Sequence, residues 1–431
     1  MYLKNNEIIL RLKAYLSNKI LKNIGWLFID RFCRLGIGLF VGVWVTRYLG
    51  PVDFGKWNYS IAIVAILSAF STLGLDLVIV KKLVENDSDE DQLMGTSFFL
   101  RLSGSMIAII ISCLYVLTLK ISLLFTITFF TGLNLSFQCF DVIDLKLQSV
   151  LKSKISVLVK NFAFIIASIL KILCIIEKCS LISFVIVSLL EIMLGAAGLI
   201  INYGVNKIFK WRFNKVFAYE LLKECWPLIL SGIIILLYMR LDQVMIGRML
   251  STAEVGLYSV SVKFSELWYF IPSIFANSFF PKLIQLKNDP ILYKKTCLAL
   301  FKILFYISFS IAILLSFFAE KLIFSLYGIS FIRSAFALKI SIWTAIFVFW
   351  GVASSNLLII EGLNKHNLYK SLQGLGLNIV LNLILIPRMG INGAAIATLI
   401  SQIYASYLYY LFPKETRHIF FSQSKSALFF L

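Results

Sequence analysis

Charged side chains interrupt the long apolar stretches of this sequence, and four of the basic ones suit the binding of an anion. They are Arg31, Arg34, Arg240 and Lys263. The planar fork of a guanidinium donates two parallel hydrogen bonds to a phosphate, and a lysine adds a point charge. Arg31 and Arg240 have no acidic residue three or four positions away, where a helical ion pair would form. We therefore predict that these four residues line a cavity and hold a phosphate group.

Three acidic residues, Asp30, Asp242 and Glu266, lie in the same stretches. Carboxylates inside lipid often mark ion pathways, so they are candidates for binding a coupling cation or proton. A local ion pair is the alternative for two of them, because Asp30 is four positions from Arg34 and Glu266 is three positions from Lys263. Asp242 lies about 200° around a helix from its neighbour two positions earlier, so these two residues cannot pair directly.

Four further basic residues lie near the ends of apolar stretches. They are Arg101, Lys160, Lys302 and Lys339. A long basic side chain in that position can extend its charge to the lipid headgroups while its methylenes stay in the apolar layer. We expect this behaviour of all four residues rather than a role in a cavity.

The composition shows which elements must position these charges. Of the 431 residues, 60% are hydrophobic and only 15% are charged, with a mean hydropathy of +0.89, whereas a soluble domain has roughly 25% charged residues. A helix needs about 20 apolar residues to cross a bilayer. The sequence predicts twelve such spans, at about 24–46, 59–80, 97–117, 121–142, 155–176, 181–203, 226–248, 255–280, 298–318, 335–360, 371–389 and 391–412.

The distribution of Lys and Arg predicts the orientation of these spans. If the N-terminus is cytoplasmic, the cytoplasmic segments hold 24 of these residues, Lys365 and Lys370 among them, and the opposite side holds 8. Positively charged loops resist translocation, so both termini are expected in the cytoplasm. The orientation also accounts for much of the +19 net charge without a nucleic-acid partner.

The spans divide the chain into one membrane domain with short flanking segments. We predict an amphipathic cytoplasmic lead-in at 1–23, a six-helix half at 24–203, a basic cytoplasmic connector at 204–225, a second six-helix half at 226–412 and a cytoplasmic tail at 413–431. Pro272 should kink the eighth span, because proline removes a backbone hydrogen bond. The seven cysteines are expected to be small packing residues, and only Cys174 and Cys179 are close enough to form a local disulfide.

A short repeat supports the two halves. At an offset of 201 residues, the segment 47–55 matches 248–256, with Trp57 against Tyr258 and Ser60 against Ser261. Both copies occupy the turn between the first two spans of a half. Halves of six spans enter from the same side, so an axis along the membrane normal should relate them, with a substrate path in the cleft between them.

Several motifs resemble those of the Wzx-type flippases of O-antigen and capsule repeat units. The motifs are Arg47-Tyr-Leu-Gly-Pro-Val-Asp-Phe-Gly55 with Ser60, Leu73-Gly-Leu-Asp76, Arg240-Leu-Asp-Gln-Val-Met-Ile-Gly247, Glu254-Val-Gly-Leu-Tyr-Ser259, Pro272 with Pro281, Leu381-Asn-Leu-Ile-Leu-Ile-Pro387 and Gly390-Ile-Asn-Gly-Ala-Ala-Ile-Ala-Thr398. These flippases belong to the polysaccharide transporter family of the MATE-like (MOP) superfamily. The resemblance covers nearly the whole chain, but no strict catalytic motif is available to carry over.

The resemblance implies an all-α polytopic protein of the bacterial inner membrane that moves an undecaprenyl-pyrophosphate-linked oligosaccharide from the cytoplasmic to the periplasmic leaflet. Its product would serve O-antigen, lipopolysaccharide or another surface polysaccharide, and other membrane proteins of polysaccharide assembly are expected partners. The alternative of the same fold is a cation-coupled multidrug exporter, which the excess of interior basic residues disfavours. An enzyme is not expected, because the chain has no large catalytic loop, no phosphate-binding Gly-rich motif and no His/Cys spacing for a metal, and no cofactor is predicted.

Overall fold

A computed structural model describes the backbone of residues 18–85 and 89–427, and the side chains of residues 34, 36–85 and 89–427. The described backbone is helical almost throughout. The helices are α1 Asn18–Thr72, α2 Leu75–Glu85, α3 Glu90–Leu117, α4 Ser122–Gln138, α5 Asp141–Ser149, α6 Ser153–Ile176, α7 Leu181–Tyr203, α8 Val205–Ile208, α9 Lys215–Met249, α10 Thr252–Glu266, α11 Phe270–Leu286, α12 Pro290–Tyr327, α13 Ser334–Ser341, α14 Thr344–Glu361, α15 Lys365–Met389, α16 Ile391–Ser406 and α17 Arg417–Ala427.

About twelve transmembrane helices follow from these elements, as predicted. Nine helical segments of the described chain, some of which combine two consecutive helices, are long and apolar enough to cross a membrane, and one bent pair at 391–427 raises the number to ten. Two features explain the difference from twelve. The long helix α1 supplies two spans that meet at Gly50, and α10 and α11 together form the eighth span although each is short.

The junction inside α1 shows how two residues divide a continuous helix. Gly50 has φ of 69° and ψ of 176°, outside the helical region, and Pro51 follows it. Glycine adopts a positive φ without the steric cost of a side chain, and proline has no N–H to donate to the preceding turn. The chain therefore turns where the sequence predicts the loop between the first two spans.

Other predicted spans are broken in the same way. The eighth span is interrupted at 267–269, immediately before the turn of α11 that contains Pro272, so the expected kink is a complete break. The tenth span is divided between α13 and α14 at 342–343. Breaks of this kind leave backbone groups to be satisfied by neighbouring helices, which membrane proteins tolerate in their interior.

The chain forms two compact units. The first contains the chain up to Tyr48 together with Leu67–Gly232, and the second contains Leu49–Ile66 together with Ile233–Leu431. In the first unit, Leu75, Ile79, Leu93, Val142 and Leu199 form the centre of an aliphatic core.

The second unit has an aromatic core. Phe305 stacks on Phe309 and on Trp350, with ring centroids 5.3 and 5.7 Å apart. Offset stacking of aromatic rings adds to the area that they bury. These residues belong to α12 and α14, so the aromatic contacts join two of the long helices of the unit.

The assignment of Leu49–Ile66 to the second unit differs from the sequence prediction, which placed the whole second span in the first half. Two glycines explain the difference. A Cβ atom on Gly55 would lie 1.8 Å from the carbonyl oxygen of Thr252, and one on Gly256 would lie 2.1 Å from that of Pro51. Only glycine allows two helix backbones to approach so closely. Gly55 and Gly256 are equivalent positions of the 201-residue repeat, so the two copies contact each other.

The segments predicted as a connector and a tail are both packed on the protein. In the first unit, the Arg212 amide donates to the carbonyl of Asp91 at 3.2 Å, and the Asn214 amide donates to Oγ1 of Thr96 at 3.2 Å. In the second unit, α17 buries Ile419 and Gln423. The predicted lead-in at 1–23 lies mostly outside the described residues.

Candidate functional site

The second unit brings together three of the predicted site residues. Arg240 and Asp242 lie on α9, and Glu266 lies at the end of α10. The turn between Met249 and Thr252 reverses the chain, so residues 26 positions apart can meet. Lys263 lies one turn before Glu266 on α10, and it has interaction partners of its own.

Arg240 and Glu266 form a bidentate ion pair. Nη1 of Arg240 lies 3.3 Å from Oε1 of Glu266, and Nη2 lies 3.0 Å from Oε2. About 25% of each side chain is exposed, so the pair is accessible from outside the core. The sequence offered Lys263 as the partner of Glu266 and none for Arg240 on its own helix, because a partner on the next helix has no sequence spacing that reveals it.

Asp242 is buried and held by two donors. The hydroxyl of Tyr258 donates to Oδ2 at 2.5 Å, and the amide of Gln243 donates to Oδ1 at 2.7 Å. The carboxylate is only 4% exposed. Neutral donors of this kind satisfy the oxygens without cancelling the charge.

The remaining predicted residues lie elsewhere. Asp30 and Arg31 belong to α1, but their side chains are outside the described part of the chain. Arg34 is in the first unit, where its guanidinium lies 5.4 Å from the centre of the Phe164 ring. The proposed pairing of Asp30 with Arg34 and the phosphate role of Arg31 therefore stay predictions.

A cavity of about 300 Å³ lies inside the second unit, next to Asp242 and Glu266. Three tyrosines contribute to its wall, namely Tyr238, Tyr258 and Tyr269. Ser341 and Thr344 also line it, and their hydroxyl oxygens are buried and have no hydrogen-bond partner among the described residues. The cavity therefore has polar and charged side chains within a largely apolar wall.

Lys370 also lines this cavity, although its charge predicts a place in a cytoplasmic loop segment and not in a site. It lies on α15 and is only 7% exposed. Its Nζ donates to Oγ of Ser355 and to the hydroxyl of Tyr410, both at 2.9 Å. A signal existed in the sequence, because Lys370, Gly374 and Asn378 are spaced by four and share one face of a helix.

Farther along α15, amide and hydroxyl side chains connect this helix to α16. Nδ2 of Asn382 donates to Oδ1 of Asn378 at 2.9 Å, and Nδ2 of Asn378 donates to Oγ1 of Thr398 at 3.4 Å. The side chains of Asn378 and Asn382 are both buried. The first of these bonds lies within α15, and the second joins α15 to α16; an interhelical hydrogen bond of this kind fixes the register of two helices in an apolar environment.

Three interior cations of the first unit have carboxylate partners. Arg101 pairs with Asp76, and Nζ of Lys171 lies 3.2 Å from Oε2 of Glu191. Nζ of Lys160 lies 2.8 Å from Asp144 and 2.8 Å from Asp141. The prediction that Arg101 and Lys160 reach the headgroups is wrong, because each finds an acidic partner on a neighbouring helix.

No group of three or more His, Cys, Asp or Glu residues in the described part of the chain is arranged to hold a metal ion. The six cysteines whose side chains are described are free, including Cys174 and Cys179. These thiols therefore pack among other side chains, and the local disulfide is absent from this part of the chain.

Comparisons with known proteins bear on family and fold. A family model described as "Polysaccharide biosynthesis protein" matches residues 44–336, which is more than half of the chain. The probable flippase AglR of Haloferax volcanii is 30% identical over 183 residues. That match spans 40% of this chain and 37% of AglR, so it covers well under two thirds of that relative.

Two solved structures share the fold. The lipid II flippase MurJ, in an inward closed conformation, has a TM-score of 0.72 and 16% identity, over 94% of this chain and 90% of that one. A multidrug resistance MATE transporter in an inward-facing conformation has a TM-score of 0.69 and 15% identity, over 94% of this chain and 100% of that one. The MATE-like fold predicted from the sequence is confirmed.

Proposed function

We propose a transport function for this chain, which belongs to the polysaccharide biosynthesis protein family of multi-pass membrane proteins. It would be a flippase, and not an enzyme, that moves an undecaprenyl-pyrophosphate-linked oligosaccharide from the cytoplasmic to the periplasmic leaflet of a bacterial inner membrane. The product would serve O-antigen or another surface polysaccharide. The observation that carries the proposal is the family match over residues 44–336, and the name of the relative AglR, a probable flippase, supports it.

The interior charges suit an anionic substrate. We assign Arg31, Arg34, Arg240 and Lys263 to the pyrophosphate, because guanidinium groups bind phosphate oxygens in pairs. Arg240 already donates both of its terminal nitrogens to Glu266. A phosphate would therefore have to displace this carboxylate, and a released Glu266 would be able to take up a proton or a cation.

This exchange offers a way to couple binding to an ion. With Asp30 and Asp242, Glu266 is a candidate coupling residue, since each of these carboxylates lies within an apolar span. The membrane potential adds a driving force of about 2.3 kcal/mol per charge per 100 mV, and an inside-negative potential favours outward movement of an anionic head. We propose that both termini face the cytoplasm, in accordance with the charge distribution of the loops.

The alternative is a cation-coupled multidrug exporter. The observation that favours it is the pair of carboxylates, Asp242 and Glu266, in the wall of one cavity. A cationic drug would bind next to these groups but would meet Arg240 and Lys370 as well. The two functions predict opposite ligands, so one experiment separates them.

The test uses purified protein in proteoliposomes, with a fluorescent polyprenyl-pyrophosphate oligosaccharide and the cation ethidium as separate substrates. We expect flipping of the lipid-linked sugar, its loss in Arg31→Glu and Arg240→Glu, and partial activity in Arg240→Lys, which keeps the charge but loses the fork. Arg388→Glu, an exposed residue at the end of α15, is the matched control. Transport of ethidium without the lipid-linked sugar would favour the exporter, and normal flipping by both folded charge reversals would make the arginines structural.

A further inference from the structure

The turn between α6 and α7 is closed by two backbone hydrogen bonds that bring a pair of cysteines together. The Cys179 amide donates to the carbonyl of Cys174 at 2.9 Å, and the Lys178 amide donates to that of Ile175 at 3.2 Å. Lys178 has φ of 53°, in the left-handed region. These features define a Schellman motif, in which the side chains at the two ends of the turn commonly pack against each other. Here both of those side chains are thiols.

An equivalent turn after α14 shows the ordinary composition of this motif. The Leu363 amide donates to the carbonyl of Leu358 at 2.7 Å, and Gly362 has φ of 80°. Leu358 and Leu363 belong to one hydrophobic cluster, so the contact between the ends of this turn is apolar. Two leucines are sufficient to close such a turn. A pair of thiols at the same positions can also be oxidised.

The backbone of the turn after α6 suits a disulfide. Standard bond lengths around the hydrogen bond of 2.9 Å from Cys179 to Cys174 place the two Cα atoms within about 7 Å of each other, which is the limit for a bridge without backbone movement. The two thiols are also within hydrogen-bond reach of each other. The loop that such a bridge closes is short, so its entropic gain is small and the bond would stay reducible.

An oxidant can reach these two thiols. Cys174 and Cys179 are partly exposed, whereas the other four cysteines with described side chains are buried. In the orientation proposed above, the turn lies on the side of the membrane opposite to the termini. Disulfides persist in compartments outside the cytoplasm and are rare inside it. Accessibility and location therefore both single out this pair.

The same turn holds the end of the first span. The hydroxyl of Tyr48 donates to the carbonyl of Cys179 at 2.8 Å, and the Tyr48 ring lies 5.5 Å from that of Phe184. Tyr48 is two positions before Gly50, where α1 is interrupted. A bridge from Cys179 to Cys174 would fix the position of this carbonyl, and with it the hydrogen bond that Tyr48 makes.

We propose that Cys174 and Cys179 form a redox modification site, which a disulfide-bearing oxidant outside the cytoplasm converts to a reversible disulfide. One cysteine thiolate attacks the disulfide of the oxidant, forms a mixed disulfide and releases one thiol of the oxidant. The second cysteine thiolate then displaces the other thiol. The two cysteines lose two protons and two electrons, and the oxidant is reduced to two thiols. The structure, in which both cysteines are free, describes the reduced form. The proposal goes beyond the proposed function and takes only its membrane orientation.

The test begins with the full-length chain in lipid nanodiscs, treated with oxidised glutathione and then alkylated. Trypsin cleaves after Lys178, so a bridge joins two separate peptides that mass spectrometry identifies. We expect this linked pair in the wild type, its reversal by dithiothreitol and its absence from Cys174→Ser and from Cys179→Ser. Alkylation of both thiols in the treated wild type, or a bridge from either one to another cysteine, would overturn the proposal.

A matched pair of variants tests the geometry of the turn. Lys178→Asn and Lys178→Val both remove the charge, but asparagine adopts the left-handed region readily and β-branched valine does not. The asparagine variant should be oxidised about as fast as the wild type, and the valine variant severalfold more slowly. Equal rates in these two variants, both folded, would show that the turn does not create the site.

The last experiment measures the pair in cells. Thiols are trapped with acid and N-ethylmaleimide, and we expect the bridge in the wild type and its loss after dithiothreitol. Cys174→Ser leaves Cys179 free, and a membrane-impermeant maleimide should label it in spheroplasts. Labelled Cys179 with no bridge in the wild type would overturn the redox site alone. Unlabelled Cys179 in the folded variant would overturn the orientation and the site with it. Neither result depends on flipping of lipid-linked oligosaccharide, which proteoliposomes test separately.

Discussion

The two units differ in how their buried positive charges are compensated. In the first unit, Arg101, Lys160 and Lys171 each face at least one carboxylate from a neighbouring helix. In the second unit, Arg240 has such a partner in Glu266, whereas the more deeply buried Lys370 donates to two hydroxyls and has no carboxylate within hydrogen-bond distance in the described part of the chain. The difference lies in how the charge is compensated.

This difference separates a structural charge from a ligand-binding one. A cation whose donors are all taken by a carboxylate of the protein has little left to offer a ligand, and its removal strands the partner. A cation held by neutral hydroxyls keeps its charge uncompensated and remains available to an anion. The pairing of Arg240 with Glu266 is intermediate, because both side chains are about one quarter exposed and the pair can be opened by a competitor.

The largest loss of stability is expected when a glycine at a close helix contact is replaced, and each unit contains such a glycine. In the first unit a Cβ on Gly104 would lie 1.8 Å from the carbonyl of Phe70, and Gly55 in the second unit has the same distance to the carbonyl of Thr252. Ala at either position should destabilise the protein by about 3 kcal/mol or more, since backbone must move. Gly376→Ala is the control, with open space around it. Thermal unfolding in detergent measures the effect, and a loss in only one unit would show that the units also differ in packing.

The next largest loss of stability is expected for the interior ion pairs of the first unit. Lys171→Met leaves Glu191 buried without a partner and should cost about 3 kcal/mol. The double variant Lys171→Met with Glu191→Leu should recover most of this loss, because no charge is stranded. The fraction of monodisperse protein after size-exclusion chromatography reports both variants. If the double variant is no better than the single one, the pair contributes through packing and not through charge.

A smaller loss of stability is expected for the partly exposed ion pair of Arg240 with Glu266 in the second unit. Glu266→Gln removes the counter-ion of Arg240, but partial exposure allows solvent to screen the remaining charge, so the cost should be about 1 kcal/mol. Flipping of lipid-linked oligosaccharide in proteoliposomes should fall much more than the stability does. A stability loss as large as that of Lys171→Met would place this pair with the structural ones.

The smallest effect is predicted for Lys370. The change Lys370→Met is chemically the same as Lys171→Met, yet it strands no carboxylate and removes an uncompensated charge from an apolar site. Its free energy of unfolding should therefore stay within about 1 kcal/mol of the wild type or increase. The same thermal unfolding assay compares the two methionine variants directly. Equal losses of stability would contradict the difference between the two units.

Local sequence features predicted the helices and their breaks well. Gly50 with Pro51 marks the turn between the first two spans, and Pro272 marks the break in the eighth, because their effects act on the backbone within one helical turn. The contact of Gly55 with Gly256 was visible only as a repeat. Nothing in a 201-residue offset shows that the two copies touch.

The pairing of charges could not be predicted from spacing along the chain. Glu266 has Lys263 within one turn of its own helix, but its bidentate partner is Arg240, which lies 26 positions away. Asp76 with Arg101 and Lys160 with Asp144 are likewise pairs between helices. Helical spacing describes only one helix surface, and the partners that matter here are on another.

The sequence by itself determined that this chain is an α-helical membrane protein of about twelve spans, and its motifs indicated the family. Apolar length and the placement of Gly and Pro are properties of the chain read in order, and lipid enforces them segment by segment. The tertiary structure decided which charges are compensated. In the sequence, Lys370 cannot be distinguished from a loop lysine. In the structure, it contacts Ser355 of α14 and lines the cavity. Burial and pairing depend on distances between helices, and these exist only once the helices have packed.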